Sequence, residues 1–237
     1  MAAENKIVNR MNTGIVGLDE MLYGGIPEGN QILIAGDAGT GKTLMSFEML
    51  YRNANINIPS TFVTLEEGRK SLLENVKGAF SYFDNIDDLV ENNTISISEQ
   101  TAMSAFRSKE SWQTFIVGIN RVLKENNSKI LVVDSLAPLR PLAEDDRTFT
   151  RAINQMIENF RNLGITSIIN METSSMNLTE VSGLYGTFMF DGIIRLGTFY
   201  MEGSFQYLVT VVKMRRSNHK NSSMPFEITP KGLNVFR

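Results

Sequence analysis

A short apolar run followed at once by a glycine-spaced loop constrains this chain more than any other stretch. Ile32, Leu33, Ile34 and Ala35 form the kind of run that a strand buried on both faces requires. The loop Gly36-Asp37-Ala38-Gly39-Thr40-Gly41-Lys42-Thr43 then carries the spacing G-x-x-x-x-G-K-T, and residues 44–50 after it are mostly good helix formers. The spacing has a chemical reason. Backbone N–H groups of such a turn wrap around phosphate oxygens, and the following helix points its positive N-terminal end at them. Lys42 is placed to reach the outer phosphates, and the Thr43 hydroxyl to take one position on Mg²⁺. The strand–loop–helix context separates the motif from a chance glycine turn, so the chain is expected to bind a nucleoside triphosphate.

Composition narrows the setting. With 237 residues, 42% of them hydrophobic, the chain is long enough to bury a full α/β core. It has no cysteine and one histidine, which excludes disulfides, thiolate metal sites and a histidine-based zinc centre. No stretch is apolar over the length needed to cross a bilayer, and the start has no leader-like apolar run, so a cytoplasmic protein without membrane attachment is expected. The net charge of −3 gives no global attraction to nucleic acid, although a local basic segment could still bind it.

Around the loop the chain alternates between strand and helix patterns. Residues 12–22 look like a capped short helix and 24–27 like a turn. A helix is expected to about residue 53, then a β-rich run over 60–65 that ends in Glu66-Glu67. Leu72, Leu73, Val76 and Phe80 give 69–83 one apolar helical face, whereas 84–93 is polar and turn-like. A short strand is expected at 94–98, an amphipathic helix at 110–125 and a buried strand at 129–134. A helix at 147–162, stopped by Gly164, precedes a strand at 165–171. The stretch 174–187 is polar and aperiodic, which predicts a mobile loop. Two hairpins follow, one joining 190–200 to 205–212 and one joining 226–228 to 233–236. The alternation up to Met171 predicts an α/β fold with a mostly parallel twisted sheet, helices on both faces and an antiparallel β extension at the C-terminal end. The whole of 1–237 reads as one domain.

A phosphate loop hydrolyses nothing unless a metal ligand and a water-positioning group converge on it. Asp134 ends a buried strand, and a parallel strand delivers its last residue to the sheet edge where the phosphate loop lies. It is therefore the candidate carboxylate for Mg²⁺. Glu66 and Glu67 close another strand at that edge, where one of them can orient the attacking water or take its proton, Glu67 being slightly preferred. A solvated acidic turn is the plain alternative. Glu172 and Thr173 end a further strand and could sense the outermost phosphate, or be an ordinary strand end. The densest basic segment runs from Lys213 through Arg215, Arg216 and His219 to Lys220. It may be read as a solvated loop, as a nucleic-acid contact, or as a donor of Lys213 and Arg215 to the triphosphate of a neighbouring subunit.

Assembled, these residues resemble the RecA-type ATPases, and among them the single-domain KaiC-like proteins. The likeness covers nearly the whole chain. It rests on Thr13-Gly14-Ile15-Val16-Gly17-Leu18-Asp19 with Gly24-Gly25-Ile26-Pro27, on the phosphate loop, on Phe62-Val63-Thr64-Leu65-Glu66-Glu67 and on Val133-Asp134-Ser135. Lys213-Met214-Arg215 with His219, and Pro225-Phe226-Glu227-Ile228-Thr229 with Gly232-Leu233-Asn234-Val235-Phe236, complete it. The paired Glu and the Lys-x-Arg-x-x-x-His spacing are more specific than the phosphate loop. The resemblance implies a RecA-like core, ATP with Mg²⁺, and ATP sites between the subunits of a ring-shaped homo-oligomer, with a hexamer favoured. It further implies that Glu66 and Glu67 are catalytic, and that Lys213, Arg215 and His219 reach the neighbour's nucleotide. Two positions depart from the pattern: Thr187-Phe188 falls where clock relatives carry an adjacent Ser-Thr autophosphorylation pair, and Asp37 adds an acid to the phosphate loop. A DNA-binding recombination mediator of the RadA-paralogue type, or a nucleotide-gated scaffold with little turnover, are the alternative functions.

Overall fold

The structure is a computed structural model that describes residues 8–100, 111–173, 187–201 and 203–236. A two-stranded ribbon comes first, β1 (Arg10–Met11) antiparallel to β2 (Ile26–Pro27), with helix α1 (Leu18–Met21) between them. The turn expected at 24–27 therefore ends in a strand; two residues are too few to show a period in the sequence.

The remaining strands form one sheet. In chain order they are β3 (Gln31–Gly36), β4 (Ser60–Thr64), β5 (Ile95–Glu99), β6 (Ile130–Asp134) and β7 (Thr166–Glu172). They are followed by β8 (Gly192–Met201), β9 (Ser204–Met214), β10 (Met224–Thr229) and β11 (Gly232–Val235). The order across the sheet is β11-β10-β9-β8-β3-β7-β6-β4-β5. From β8 to β5 all neighbours are parallel, while β8–β9, β9–β10 and β10–β11 are antiparallel. This is the α/β architecture with an antiparallel extension that the alternation predicts.

The strand β3 lies inside the sheet and is buried along its whole length, as its unbroken apolar run requires. Its side chains alternate between two cores. Ile32 and Ile34 face a layer that holds α2 (Lys42–Ala54), α3 (Arg69–Ala79) and α4 (Ile86–Glu91). Leu33 and Ala35 face the layer of α5 (Ser111–Glu125) and α6 (Asp146–Asn162). Each large aliphatic side chain buried this way contributes roughly 1.5–3 kcal/mol.

Two boundaries differ from expectation. The segment 84–93 is not a plain turn: α4 forms there because Ile86, Leu89 and Val90 give six residues one buried side. Helix α3 stops at Ala79 instead of reaching 83, and Phe80 turns out of the helix to pack on Phe83. A 3-10 turn at Ala137–Leu142, carrying Pro138 and Pro141, follows β6. Asp145 caps α6 by accepting the Thr148 N–H at 2.7 Å, and Gly164 ends it in the left-handed conformation. The loop expected at 174–187 lies outside the described residues, except for Thr187, which starts a 3-10 turn. No helix among the described residues is long and apolar enough to cross a membrane.

The parallel strands deliver Gly36, Thr64, Asp134 and Glu172 to one edge of the sheet. Because β9 runs the other way, Met214 pairs with Gly192, which pairs with Ile32, so the segment after Met214 emerges at the opposite edge.

Candidate active site

The phosphate loop sits at the first of those edges. Gly41 is the N-cap of α2 with φ 87°, a left-handed value that glycine takes without strain. A Cβ on Gly36 would lie 2.5 Å from the Leu196 carbonyl oxygen, so only glycine lets β3 end against β8 there. Lys42 is nearly buried, and its Nζ donates to the carbonyls of Gly36 (3.0 Å) and Asp37 (2.8 Å). It thus takes the backbone of Asp37 and not its carboxylate. Burial lowers the Lys42 pKa, against the opposing pull of Glu172, Asp134, Glu66 and Asp37.

Glu172, Asp134, Glu66 and Asp37 lie close enough to this lysine for their charges to act on it, and Glu67 lines the same cleft. Asp134 is 8% exposed and accepts the Asn170 amide at 2.9 Å. Burial raises its pKa, the Thr43 and Asn170 hydrogen bonds pull it down, and the nearby Glu66 charge pushes it up again. Asn170 also donates to Ser46 Oγ on α2 at 2.9 Å, which ties β7 to the phosphate-loop helix. Glu66 accepts a short hydrogen bond from the Ser135 hydroxyl. Glu67 is held harder: Ser71 Oγ donates to its Oε2 at 2.7 Å and Asn75 Nδ2 to the same atom at 2.8 Å. Both donors stand on α3, which begins directly after the glutamate pair.

Together these groups line a cleft of about 440 Å³ whose walls include Lys42, Thr43, Glu66, Glu67, Asp134 and Glu172. Leu44, Tyr207 and Ile228 give its lining a largely apolar flank, with Ile228 close beside Gly41 of the loop. The Thr173 hydroxyl, next to Glu172, is buried without a hydrogen-bond partner among the described residues. Thr43 and Asp134 offer hard oxygens in hydrogen-bonding reach of each other, a donor set that suits Mg²⁺. Among the described residues no group of three or more acidic, histidine or cysteine side chains could hold a metal by itself.

Lys213, Arg215 and His219 do not join this cleft. Arg215 N–H donates to the Asp191 carbonyl, and Asp191 N–H to that of Gln31, at the start of β3. Roughly 16 Å of strand therefore separates Arg215 from Gly36 in the same chain. The Arg215 side chain donates to the Phe188 carbonyl at 3.0 Å and pairs with Asp191 at 3.5 Å. Lys213 Nζ donates to the Phe190 carbonyl at 2.6 Å, and burial lowers its pKa. His219 is half-buried, with Nδ1 3.3 Å from the Lys220 carbonyl. Arg216 is held by Asn30 and by the Glu28 carbonyl. Beside this group Phe188 is 68% exposed.

Sequence alone gives no site role to Ser71, Asn75, Ser135, Asn170, Tyr207 or Ile228, although Ser135 and Ile228 lie in stretches that carry the family resemblance. Ser71 and Asn75 lie four and eight residues after Glu67, a helical spacing that a search for partners of Glu67 could have found. Tyr207 and Ile228 come from strands remote in sequence and leave no local signal.

The family model described as "ATPase: KaiC" matches residues 11–237. The chain is 30% identical to a UPF0273 protein of Thermotoga maritima, covering 97% of this chain and 97% of that protein. It is 27% identical to the circadian clock oscillator protein KaiC of Picosynechococcus sp., covering 98% of this chain and 45% of that protein. Among solved structures, a KaiC-like protein of Pyrococcus horikoshii OT3 is similar with a TM-score of 0.83 and 28% identity, covering 98% of this chain and 100% of that one.

Proposed function

The chain belongs to the KaiC family of ATPases, and from that premise we propose that it hydrolyses Mg-ATP between the subunits of a ring-shaped homo-oligomer, a hexamer by preference. The observation that carries this reading is the division of charged groups between two ends of one sheet. The cleft holds the phosphate loop, Lys42 and the acidic groups, while Lys213 and Arg215 stand at the far end of β3 and β8. A head-to-tail neighbour brings the second set to the first.

In that arrangement the loop N–H groups and the N-terminus of α2 hold the phosphates. Lys42 exchanges the Gly36 and Asp37 carbonyls for the outer phosphate oxygens. Thr43 and Asp134 would hold Mg²⁺, which neutralises charge on the outer phosphates when bound. Glu67, oriented by Ser71 and Asn75, accepts a proton from the water that attacks the terminal phosphorus. The bridging P–O bond breaks, leaving ADP and phosphate. Glu66, held by Ser135, orients the same water. Arg215 of the adjoining subunit leaves Phe188 and Asp191 to offset charge on the transferred phosphoryl group.

Mixing two inactive variants tests this. Arg215→Ala chains keep an intact cleft, and Glu67→Gln chains keep an intact finger. Each alone should be nearly inactive, since such an arginine is typically worth about 10³–10⁵ in rate. Under conditions of subunit exchange, mixtures should recover phosphate release, because some interfaces join a wild-type Arg215 to a wild-type Glu67. Phosphate release that stays flat at every mixing ratio, with exchange verified by fluorescence transfer, would refute a finger acting in trans.

A further inference from the structure

Helix α2 carries a second buried charge that the mechanism above leaves unused. Glu48 is 0% exposed. Its Oε2 accepts the Leu233 N–H at 2.6 Å, and its Oε1 accepts Arg52 Nη2 at 3.0 Å and Nε at 3.2 Å. Arg52 Nη2 in turn donates to the Lys231 carbonyl at 2.7 Å. Both arms grip the turn between β10 and β11. The fit at that turn is close: a Cβ on Gly232 would lie 2.1 Å from Glu48 Oε1.

The turn matters because of what it carries. Strand β10 pairs with β9 only over Met224, Pro225 and Phe226, so its distal half, including Ile228, is paired with β11 alone. That half is fastened to the body by Glu48 and Arg52, with backbone contacts to Tyr82 and Val16. Ile228 forms part of the apolar flank of the cleft, and a Cβ on Gly41 would come within 3.2 Å of its Cδ1. Tyr207 of β9, the aromatic of that flank, stacks on Phe226, which shares β10 with Ile228, at 5.3 Å between centroids. The phosphates belong at the Gly39–Thr43 end, and an apolar flank beside them is the surface on which a base and ribose rest.

We propose that Glu48 is a positioning residue for the nucleoside, holding the β10–β11 hairpin through Leu233 and Arg52 so that Ile228 and Tyr207 form the wall against which the base end of the nucleotide binds. This rests on the reading of the cleft as an ATP site. The phosphate loop thereby shares one helix with the clip that sets its base wall, and the nucleoside and phosphate halves of the site are fixed to each other by side chains on successive turns of α2.

The consequence is selective: Glu48 should matter for ATP and not for a bare phosphate chain. Calorimetric titration with Mg-ATP and with magnesium tripolyphosphate separates the two. Glu48→Ala should weaken ATP about tenfold or more, the scale of losing a charge-assisted buried hydrogen bond, and leave tripolyphosphate unchanged. Glu48→Gln, which still accepts the Leu233 N–H, should recover most of the ATP affinity. Arg52→Met should shift ATP in the same direction, and it carries the comparison if Glu48→Ala does not fold. Equal losses for both probes, or no loss for either, would overturn the proposal. A wild-type protein that binds ATP but not tripolyphosphate would also count against it, because the phosphate loop would then not hold phosphates unaided. A wild-type protein that binds neither would instead sink the reading of the cleft itself, and the clip with it.

Discussion

Lys42 and Glu48 stand on the same helix, both buried, and burial moves both pKa values toward the neutral form. For Lys42 the partners in this structure are carbonyls of its own loop, so the Lys42→Ala variant should fold and lose ATP binding; unchanged affinity in titration calorimetry would contradict its assignment. For Glu48, burial outweighs the Leu233 and Arg52 hydrogen bonds and raises the pKa above its ordinary value of 4.5. The folded protein then binds more protons than the unfolded chain in the window above that value, so this group's contribution falls as pH rises through it. Glu48→Gln removes the titration, and its melting temperature relative to wild type should therefore climb between acidic and neutral pH. A difference that stays constant with pH would show that Glu48 does not titrate in that window. Glu67→Gln should keep ATP binding and cut phosphate release by roughly 10²-fold or more, with Glu66→Gln comparable or milder. If both hydrolyse at the wild-type rate, the base lies elsewhere. Lys42 and Thr43 were legible in the sequence through the G-x-x-x-x-G-K-T spacing, and Asp134 and the glutamate pair through their place where buried strands end. Asn170 was not, because nothing in an apolar strand marks its one amide as the holder of a carboxylate on the neighbouring strand.

At the scale of elements, the junction of β3 with its neighbours decides where the cleft can be. Gly36 pairs with Glu172 of β7 on one side and abuts the Leu196 carbonyl of β8 on the other. Gly36→Ala should force β3 and β8 apart and destabilise the protein by about 1–3 kcal/mol, measured by urea unfolding. A variant as stable as wild type would mean that β8 yields easily there. Long elements announced themselves. The stripes of α5 and α6 repeat often enough to fix a helical face, as Ile119 and Leu123 or Ile153 and Ile157 illustrate by their burial. Six-residue α4 did not, since one turn and a half gives too few repeats and Asn85 makes no side-chain cap. The placing of β8 beside β3 was also illegible, because strands buried on both faces carry no mark of which neighbour they choose.

Across the whole molecule, the sheet has one end with the glycine loop and its acidic groups and another with Lys213 and Arg215, and both were visible as motifs before their separation was. Only the antiparallel return of β9 sends Lys213 and Arg215 away from the loop, and that return depends on which strand β8 joins. On the reading proposed here, each complete catalytic centre belongs to a junction between chains and to no single chain. An open row of subunits then always has one cleft and one finger idle at its ends, and only closure makes sites equal chains in number. Phosphate release per chain should fall steeply on dilution, in step with the mass measured by light scattering, whereas a centre complete within one chain would keep its specific rate. On that reading the molecule is polarised like a link with a hook and an eye, and thinning the population should be enough to silence it without any inhibitor.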